Sequence, residues 1–278
     1  MSLFDWHHTI SVIELKLERH SLLMANSRTK LTPAEYLRSI LSILVFFFML
    51  IIMTPIILLL LIFSLGRLSS FVVEKIAPLI VKPVFPVAGI DFKIKKHSGE
   101  IHYPAVYIIN HSSTLDILTI LALGLPRVRF VAKWQLQYNP LFFLLGRLTG
   151  QVFIRREKSD KAVQTLKKNV SRIKRNGLTV MLAPEGSRKH PGIIGPFKKG
   201  PFRMALDLQY PIVPIYFEGN RELSEGGFLL TKTGSATAHI YPPIDTSDWD
   251  LDNLDKKIDQ VRDLYMKWAG VTEETNNK

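Results

Sequence analysis

The sequence predicts an α/β fold, a mostly parallel sheet flanked by helices, preceded by an N-terminal pair of hydrophobic helices. Three observations carry that expectation. From Asp91 onward, short apolar runs alternate with longer stretches of helical period, the pattern of buried parallel strands joined by crossover helices. Chemically capable residues stand directly after four of those runs: Asn110-His111, Arg155-Arg156, Pro184-Glu185-Gly186 and Glu218-Gly219. Open α/β sheets place their sites beyond the carboxyl ends of the strands, so this arrangement implies a single cleft. Finally, Ser39 to Gly66 holds no charged residue and no His, a run that soluble helices do not sustain on every face.

Residues 1–32 form an N-terminal extension, polar in composition, with His7, His8, Glu14, Lys16, Glu18, Arg19 and His20. Residues 33–90 form a hydrophobic membrane-anchoring segment. Its first helix has a clear start, with Thr32 as N-cap, Pro33 at the first helical position and Glu35 completing a capping box. The roughly 28 uncharged residues would extend about 42 Å as helix, against a bilayer core of about 30 Å. They start too far into the chain and run too long for a cleavable signal peptide. Pro55 removes a backbone donor inside the run and predicts a kink or break there. Two geometries follow: a tilted single span, or a bent pair of helices entering and leaving the same leaflet. Lys30 and Arg38 lie before the segment and Arg67, Lys75 and Lys82 after it. Positive charge on both sides favours two cytosolic ends and the re-entrant pair. Phe71 to Ile90, apolar with Glu74, Lys75 and Lys82 interspersed, reads as lying along the interface.

Residues 91–250 make the α/β domain. Strands are predicted at 91–95, 105–109, 130–132, 152–154, 178–182, 212–217 and 236–241. Helices are predicted at 115–123, stopped by Gly124 and Pro126, at 158–175, ended by Asn176-Gly177, and at 202–208. Residues 251–278 form a C-terminal amphipathic helix and tail. Leu254, Ile258, Val261, Tyr265 and Trp268 recur at helical spacing there, and Val271 to Lys278 reads as a frayed end.

Composition narrows the chemistry. The chain has no Cys, so it has neither disulfides nor thiolates, and its net charge of +12 implies an anionic partner. The basic excess lies between Arg127 and Arg203, while the balance reverses from Asp245 onward. That stretch lacks interleaved aromatics and sits behind a membrane anchor, which argues against nucleic acid. Gly195 to Gly200 has the glycine spacing of a phosphate-binding loop, but Pro201 stands where Lys is required. The eight His residues are scattered, with neither H-E-x-x-H nor a Cys partner, so no metal site is expected.

The run Asn110-His111-Ser112-Ser113-Thr114-Leu115-Asp116 carries the sharpest signal. On one regular helix His111 and Asp116 would stand about 140° apart and not meet. They meet if His111 is on the loop and Asp116 in the first turn. His111 would then be a general base, accepting a hydroxyl proton, with Asp116 holding the other ring nitrogen. The same residues also read as a plain cap, Ser113 paired with Asp116, with His111 structural. There is no G-x-S-x-G elbow and no Cys, so no acyl-enzyme nucleophile is signalled. Pro184 to Arg188 offers Glu185, a flexible Gly186, the Ser187 hydroxyl and Arg188, and Arg suits bidentate phosphate binding. It reads equally as a polar turn. Arg155-Arg156, Lys133 and Lys198-Lys199 are further cationic candidates.

These residues resemble the glycerolipid acyltransferase family, whose best-known members are the 1-acylglycerol-3-phosphate acyltransferases. Residues 110–116 look like the family's His-four-residues-Asp block, and Gly150 to Arg156 like its second. Ala183 to Arg188 is similar to its third block and Tyr210 to Ile215 to its fourth. Ala132 to Leu136 and Phe197 to Phe202 also agree, so the resemblance spans residues 103–219. Arg155 departs from the acidic or amide residue usual there, Ala183 replaces Phe, and Ser187 replaces Thr. The resemblance implies O-acyl transfer from acyl-CoA or acyl-carrier protein to lysophosphatidic acid, with His111 and Asp116 catalytic. It implies that Lys133, Arg156, Glu185, Gly186, Ser187 and Arg188 bind the substrate, with an N–H near Gly186 serving the oxyanion. No cofactor beyond the acyl donor is implied. The enzyme would sit on the inner, cytoplasmic membrane with its domain on the cytosolic side. Its partners would be the membrane lipid and an anionic membrane surface, with no nucleic acid. An acyltransferase for another lysolipid, such as a lyso-aminolipid, a membrane-attached lipid hydrolase, and a non-catalytic lipid-binding protein remain as competitors.

Overall fold

The computed structural model describes residues 31–154, 159–186, 192–224 and 230–272. The capping box is present. Thr32 Oγ1 accepts the Glu35 N–H at 3.2 Å while Glu35 Oε2 accepts the Thr32 N–H at 2.9 Å. Helix α1 (Pro33–Phe63) follows and runs 31 residues without a break at Pro55. The expected break is therefore corrected. Proline deletes one donor, and the long apolar flanks on either side keep the rest of the hydrogen-bond ladder intact.

The chain turns at 64–68, with Leu65 and Gly66 at positive φ. It returns as a broken helical arm made of Ser69–Phe71, a π-helical turn Val72–Ile76, Ala77–Val81 and Val84–Ala88. The hydrophobic pair is thus one unbroken helix and one broken arm. Much of the arm's apolar surface is used inside the protein, while Phe71 and Leu79 stay exposed. Val72, Val73, Ile76, Ile80, Val81, Val84, Phe85 and Ala88 are buried. Its breaks turn apolar residues to both sides, where α1 and the domain each cover one.

Seven strands form one sheet: β1 (Ile90–Lys96), β2 (Val106–Ile109), β3 (Val128–Lys133), β4 (Val152–Ile154), β5 (Thr179–Leu182), β6 (Ile212–Glu218) and β7 (Gly234–Ile240). Their order is β1-β7-β6-β2-β5-β3-β4. Every neighbouring pair is parallel except β6 with β7. The helices are α2 (Leu115–Ala122), α3 (Pro140–Leu148), α4 (Ser159–Arg175), α5 (Lys199–Leu208) and α6 (Leu254–Trp268). Side chains alternate across the sheet as pleating requires. Val106 and Ile108 join Ile173 of α4, Met204 of α5 and Val261 of α6. Tyr107 and Ile109 face the other way, with Leu123 and Phe217. On that second side Leu115 and Leu118 of α2 pack with Ile57 and Leu61 of α1. The α1 layer therefore covers the α2 face only.

Helix α3, and the 3₁₀ turn Trp134–Tyr138 before it, have no counterpart in the predicted elements. A signal was present: Asn139 caps α3, its Oδ1 accepting the Leu141 N–H at 3.0 Å, and Pro140 opens it.

Both ends of α1 are tied to the domain. Near its start, Ser39 Oγ donates to the Thr231 carbonyl at 3.2 Å and accepts the Thr231 N–H at 3.0 Å. Glu35 Oε1 accepts the Thr233 N–H at 3.1 Å. Past its end, Gly66 lies against the Leu148 carbonyl. Just beyond, buried Arg129 of β3 donates to Ser69 Oγ and Ser70 Oγ at 2.9 and 3.2 Å. Burial, with Arg172 and Arg127 adding to it, lowers the Arg129 guanidinium pKa to about 10.

Candidate active site

Strand β2 lies between β6 and β5. The chain steps from β2 over β5 to β3, and from β5 over β2 to β6, so the strand order reverses here. This is the crevice where open α/β sheets hold ligands. The loop that leaves β2 is fixed from both neighbours. Asn110 extends the pairing with β6, its Nδ2 donating to the Phe217 carbonyl at 3.0 Å and its Oδ1 accepting the Phe217 N–H at 2.7 Å. From the β5 side, Glu185 Oε1 accepts the His111 N–H at 2.9 Å. Between β2 and β6, the buried Tyr265 hydroxyl donates to the Ile108 carbonyl at 2.8 Å and accepts the Ile215 N–H at 3.1 Å. It sits beside Pro214, which has no N–H to give. Burial pushes its pKa well above the usual value.

His111 and Asp116 meet as the loop-and-first-turn geometry requires. His111 Nδ1 lies 2.8 Å from Asp116 Oδ2. That oxygen also accepts the Ser112 N–H at 2.8 Å and the Ser113 N–H at 2.9 Å. The other, Oδ1, accepts from Asn220 Nδ2 at 2.8 Å and from Ser113 Oγ at 3.4 Å. Asp116 is wholly buried, while the His111 side chain is 22% exposed. A carboxylate that accepts from every neighbour assigns the imidazole proton to Nδ1. The lone pair is then on Nε2, which has no hydrogen-bond partner among the described residues. Such a ring can take a proton from a hydroxyl brought to it.

The turn before α2 and the dyad share residues. Ser113 Oγ accepts the Leu115 N–H at 3.1 Å, and Asp116 returns the bond to the Ser113 N–H. The N-cap of α2 is Thr114, one residue later than the expected Ser113, and it makes no side-chain cap bond, so the Ser113–Asp116 pairing is a turn leading into the helix. It holds Asp116 in the first turn of α2, from which the carboxylate reaches back to the loop.

Asn220 is absent from the predicted site. It lies in a helical turn after β6 (Asn220–Leu223), is buried, and bridges Asp116 to Thr119, whose Oγ1 is 3.0 Å from Nδ2. Its position, 104 residues from Asp116, gives no local pattern to read.

The third motif is placed beside the dyad. Glu185 is buried, and its carboxylate grips two backbone N–H groups, those of His111 and Gly195, both at 2.9 Å. It sets the positions of two loops. Gly186 has φ +69°, and its N–H donates to the Ala183 carbonyl at 3.1 Å rather than standing open for an oxyanion. A Cβ there would lie 3.0 Å from Lys198 Nζ, so the Lys198 side chain crosses directly over the glycine. Glycine suits both that backbone and that approach. Lys198 is also tied to the motif by its N–H, 2.9 Å from the Pro184 carbonyl. It is a cation at the cleft, next to the His111 loop. Lys133 ends β3, pairing in register with Ile154. Arg156, Ser187 and Arg188 lie outside the described residues.

The acyltransferase family pattern matches residues 91–218. The chain is similar to 1-acyl-sn-glycerol-3-phosphate acyltransferase of Limnanthes douglasii, at 32% identity over 65% of this chain and 64% of that protein. It is similar to the Haemophilus influenzae enzyme of the same name, at 30% identity over 66% of this chain and 76% of that one. The Saccharomyces cerevisiae enzyme of that name matches at 27% identity over 82% of this chain and 75% of its own length. The alignment thus covers less than two thirds of the Limnanthes douglasii protein. Among solved structures, the 1-acyl-sn-glycerophosphate acyltransferase PlsC from Thermotoga maritima shares the fold. Its TM-score is 0.66 at 22% identity, covering 86% of this chain and 98% of that one.

Proposed function

This chain belongs to the glycerolipid acyltransferase family, and from that premise we propose that it makes phosphatidic acid. It moves a fatty acyl group from a thioester donor, acyl-CoA or acyl-carrier protein, to the free hydroxyl of 1-acylglycerol-3-phosphate. One observation supports the reading most. The His111 ring is held through Nδ1 by Asp116 at 2.8 Å, which leaves Nε2 for the acceptor.

Nε2 takes the proton of the lysolipid hydroxyl as its oxygen attacks the thioester carbonyl carbon. Asp116 stabilises the imidazolium that forms. The tetrahedral intermediate collapses with cleavage of the C–S bond, and the departing thiolate takes the proton back from Nε2. The acyl group passes directly to the acceptor, with no acyl-enzyme and no cofactor. Lys133, Arg156, Ser187 and Arg188 are the phosphate-holding candidates that the family motifs supply, and Lys198 joins them from its place over Gly186. Glu185 shapes the loops that carry them. The protein works on the membrane that contains the lysolipid, on the cytosolic side of the inner membrane. With both ends of α1 tied to one domain, the helix lies in a single leaflet.

Purified full-length protein incubated with labelled acyl donor and a panel of lysolipids tests this. The expected product is labelled phosphatidic acid. Acylation of a lyso-aminolipid instead would redirect the acceptor, as the departures at Arg155 and Ala183 allow, and free fatty acid alone would point to hydrolysis. In the same assay Arg188→Ala should raise the acceptor KM far more than the donor KM. An unchanged acceptor KM would remove Arg188 from the phosphate site.

A further inference from the structure

We propose that the first turn of α3, with the 3₁₀ turn before it, is a second membrane-inserting element that docks on an anionic bilayer beside α1. The proposal rests on the reading that α1 is embedded in the membrane.

Residues 136–144 leave large apolar side chains in the open. Tyr138 is 77% exposed, Phe142 51% and Phe143 44%, with Leu136 and Leu144 exposed beside them. Apolar clusters of this size on a soluble surface mark a binding site. The back of α3 is used: Leu145 and Leu148 pack into the cluster that holds Ile57 and Leu61 of α1, and the Phe153 ring fills the space over Gly146. The helix is therefore docked by one side, and its first turn projects.

The occupant follows from position and charge. The Leu148 carbonyl lies beside the turn at Gly66, 3.6 Å from where a Cβ there would stand, and that turn follows Phe63 and includes Arg67, with Phe63 82% and Leu65 80% exposed. The α3 patch therefore continues the apolar outer face of α1. The opposite side of the sheet differs, since α6 turns Asp255, Lys256, Asp259, Asp263 and Lys267 outward. Arg67, Lys75, Lys82 and Arg147 are exposed on the α1 and α3 side. No acidic residue lies in 134–150, and Glu35 and Glu74 are the only two in 33–88. The Arg147 guanidinium stands 5.6 Å over the Phe143 ring, an apolar stem with a cationic head fit for the headgroup level of a bilayer. Basic residues beside an embedded apolar face are attracted to anionic lipid.

A second contact has a mechanical use. A lone helix lying in the interface leaves rotation about its own axis free. A second anchor off that axis fixes the roll. The patch follows the carboxyl end of β3 directly, on the same edge of the sheet as His111, so fixing the roll holds the cleft against the lipid surface.

Because the chain has no Cys, single Phe143→Cys, Phe48→Cys and Leu251→Cys variants can each carry one environment-sensitive fluorophore. Full-length protein is mixed with vesicles of phosphatidylcholine and phosphatidylglycerol, or of phosphatidylcholine alone. The expected result is a blue shift and intensity gain at position 143 comparable with that at 48, greater with the anionic lipid, and none at 251. A response at 48 without one at 143 overturns the proposal and leaves the embedding of α1 standing. Silence at both positions overturns the embedding itself. A response at 143 without vesicles that grows with protein concentration points to a second copy and also overturns it. As a label-free check, Phe142→Ser with Phe143→Ser should weaken vesicle partition about tenfold or more at an unchanged Tm. Unchanged partition contradicts insertion.

Discussion

Five hydrogen bonds converge on the Asp116 carboxylate, the most distant in sequence from Asn220. Along the outward face of α1, Leu44, Phe48, Ile51, Leu59 and Phe63 stand exposed with no polar partner in reach of an apolar side chain. The first region is specified by direction, each donor aimed at one acceptor. The second is specified by solvent preference alone, which is non-directional and roughly proportional to area. Many apolar sequences would therefore serve on α1, while few side chains would serve around His111. The two regions should come apart under mutation, turnover changing at one and membrane attachment at the other.

The sharpest separation is expected from His111→Ala. Turnover should fall on the order of 10³-fold or more, with vesicle attachment unaltered. Retained turnover would break the base assignment, and lost attachment would break the separation of the two regions. Asn220→Ala tests whether the network positions the dyad. It should lower kcat about ten- to a hundredfold and move the pH–rate profile while both KM values hold. A purely structural Asn220 would lower Tm and leave the profile in place.

Glu185→Gln leaves one carbonyl oxygen where the His111 and Gly195 N–H groups had two acceptors, and turns an amide donor toward one of them. A loss of about 1–3 kcal/mol in unfolding free energy is expected, read by denaturant titration. No change would mean that the loops are held by other contacts. Ser39→Val removes the paired bonds to Thr231 near the start of the apolar helix, and should cost about 1 kcal/mol with vesicle binding intact. If binding drops instead, directional contacts matter on α1 as well.

The smallest effect concerns pH. Burial, then the neighbouring His239 and Lys95, lowers the His97 pKa below the ordinary imidazole value of 6.5. Between those two values the unfolded chain binds more protons than the folded one, so stability rises with pH. Its contribution is present above 6.5 and is lost as pH falls through the folded value. Unfolding curves below pH 6.5 should show this decline, and His97→Gln should flatten it. A decline of equal slope in the variant would assign it to other groups.

Much of the fold is legible in the chain's local pattern. The local pattern marks all seven strands: the inner ones because a buried strand must be apolar, and the exposed edge strand β1 through its alternation of apolar and charged residues. The Thr32-x-x-Glu35 box marks the start of α1, and the Ser113-x-x-Asp116 spacing marks the turn that brings Asp116 to His111. These are short-range matters, decided within one or two turns of chain. Helix α3, missing from the predicted elements, is within reach of the same logic through Asn139 and Pro140. Pro55 misleads because local propensity predicts a break, whereas one lost hydrogen bond is a small fraction of a helix 31 residues long.

Residue order alone is enough to set the alternation of elements, the pair of residues able to move a proton, and the uncharged run that sets this chain against lipid. Three-dimensional packing was needed to decide which N–H groups Glu185 holds, that Lys198 crosses Gly186, that Asn220 closes the network on Asp116, and that the arm after α1 packs against the domain. The physical reason is range. Propensity and capping depend on neighbours three or four residues away. The partners of a carboxylate at a strand end depend on which strands lie beside it, and the order β6-β2-β5 arises from packing the whole sheet, with no spacing in the chain to record it.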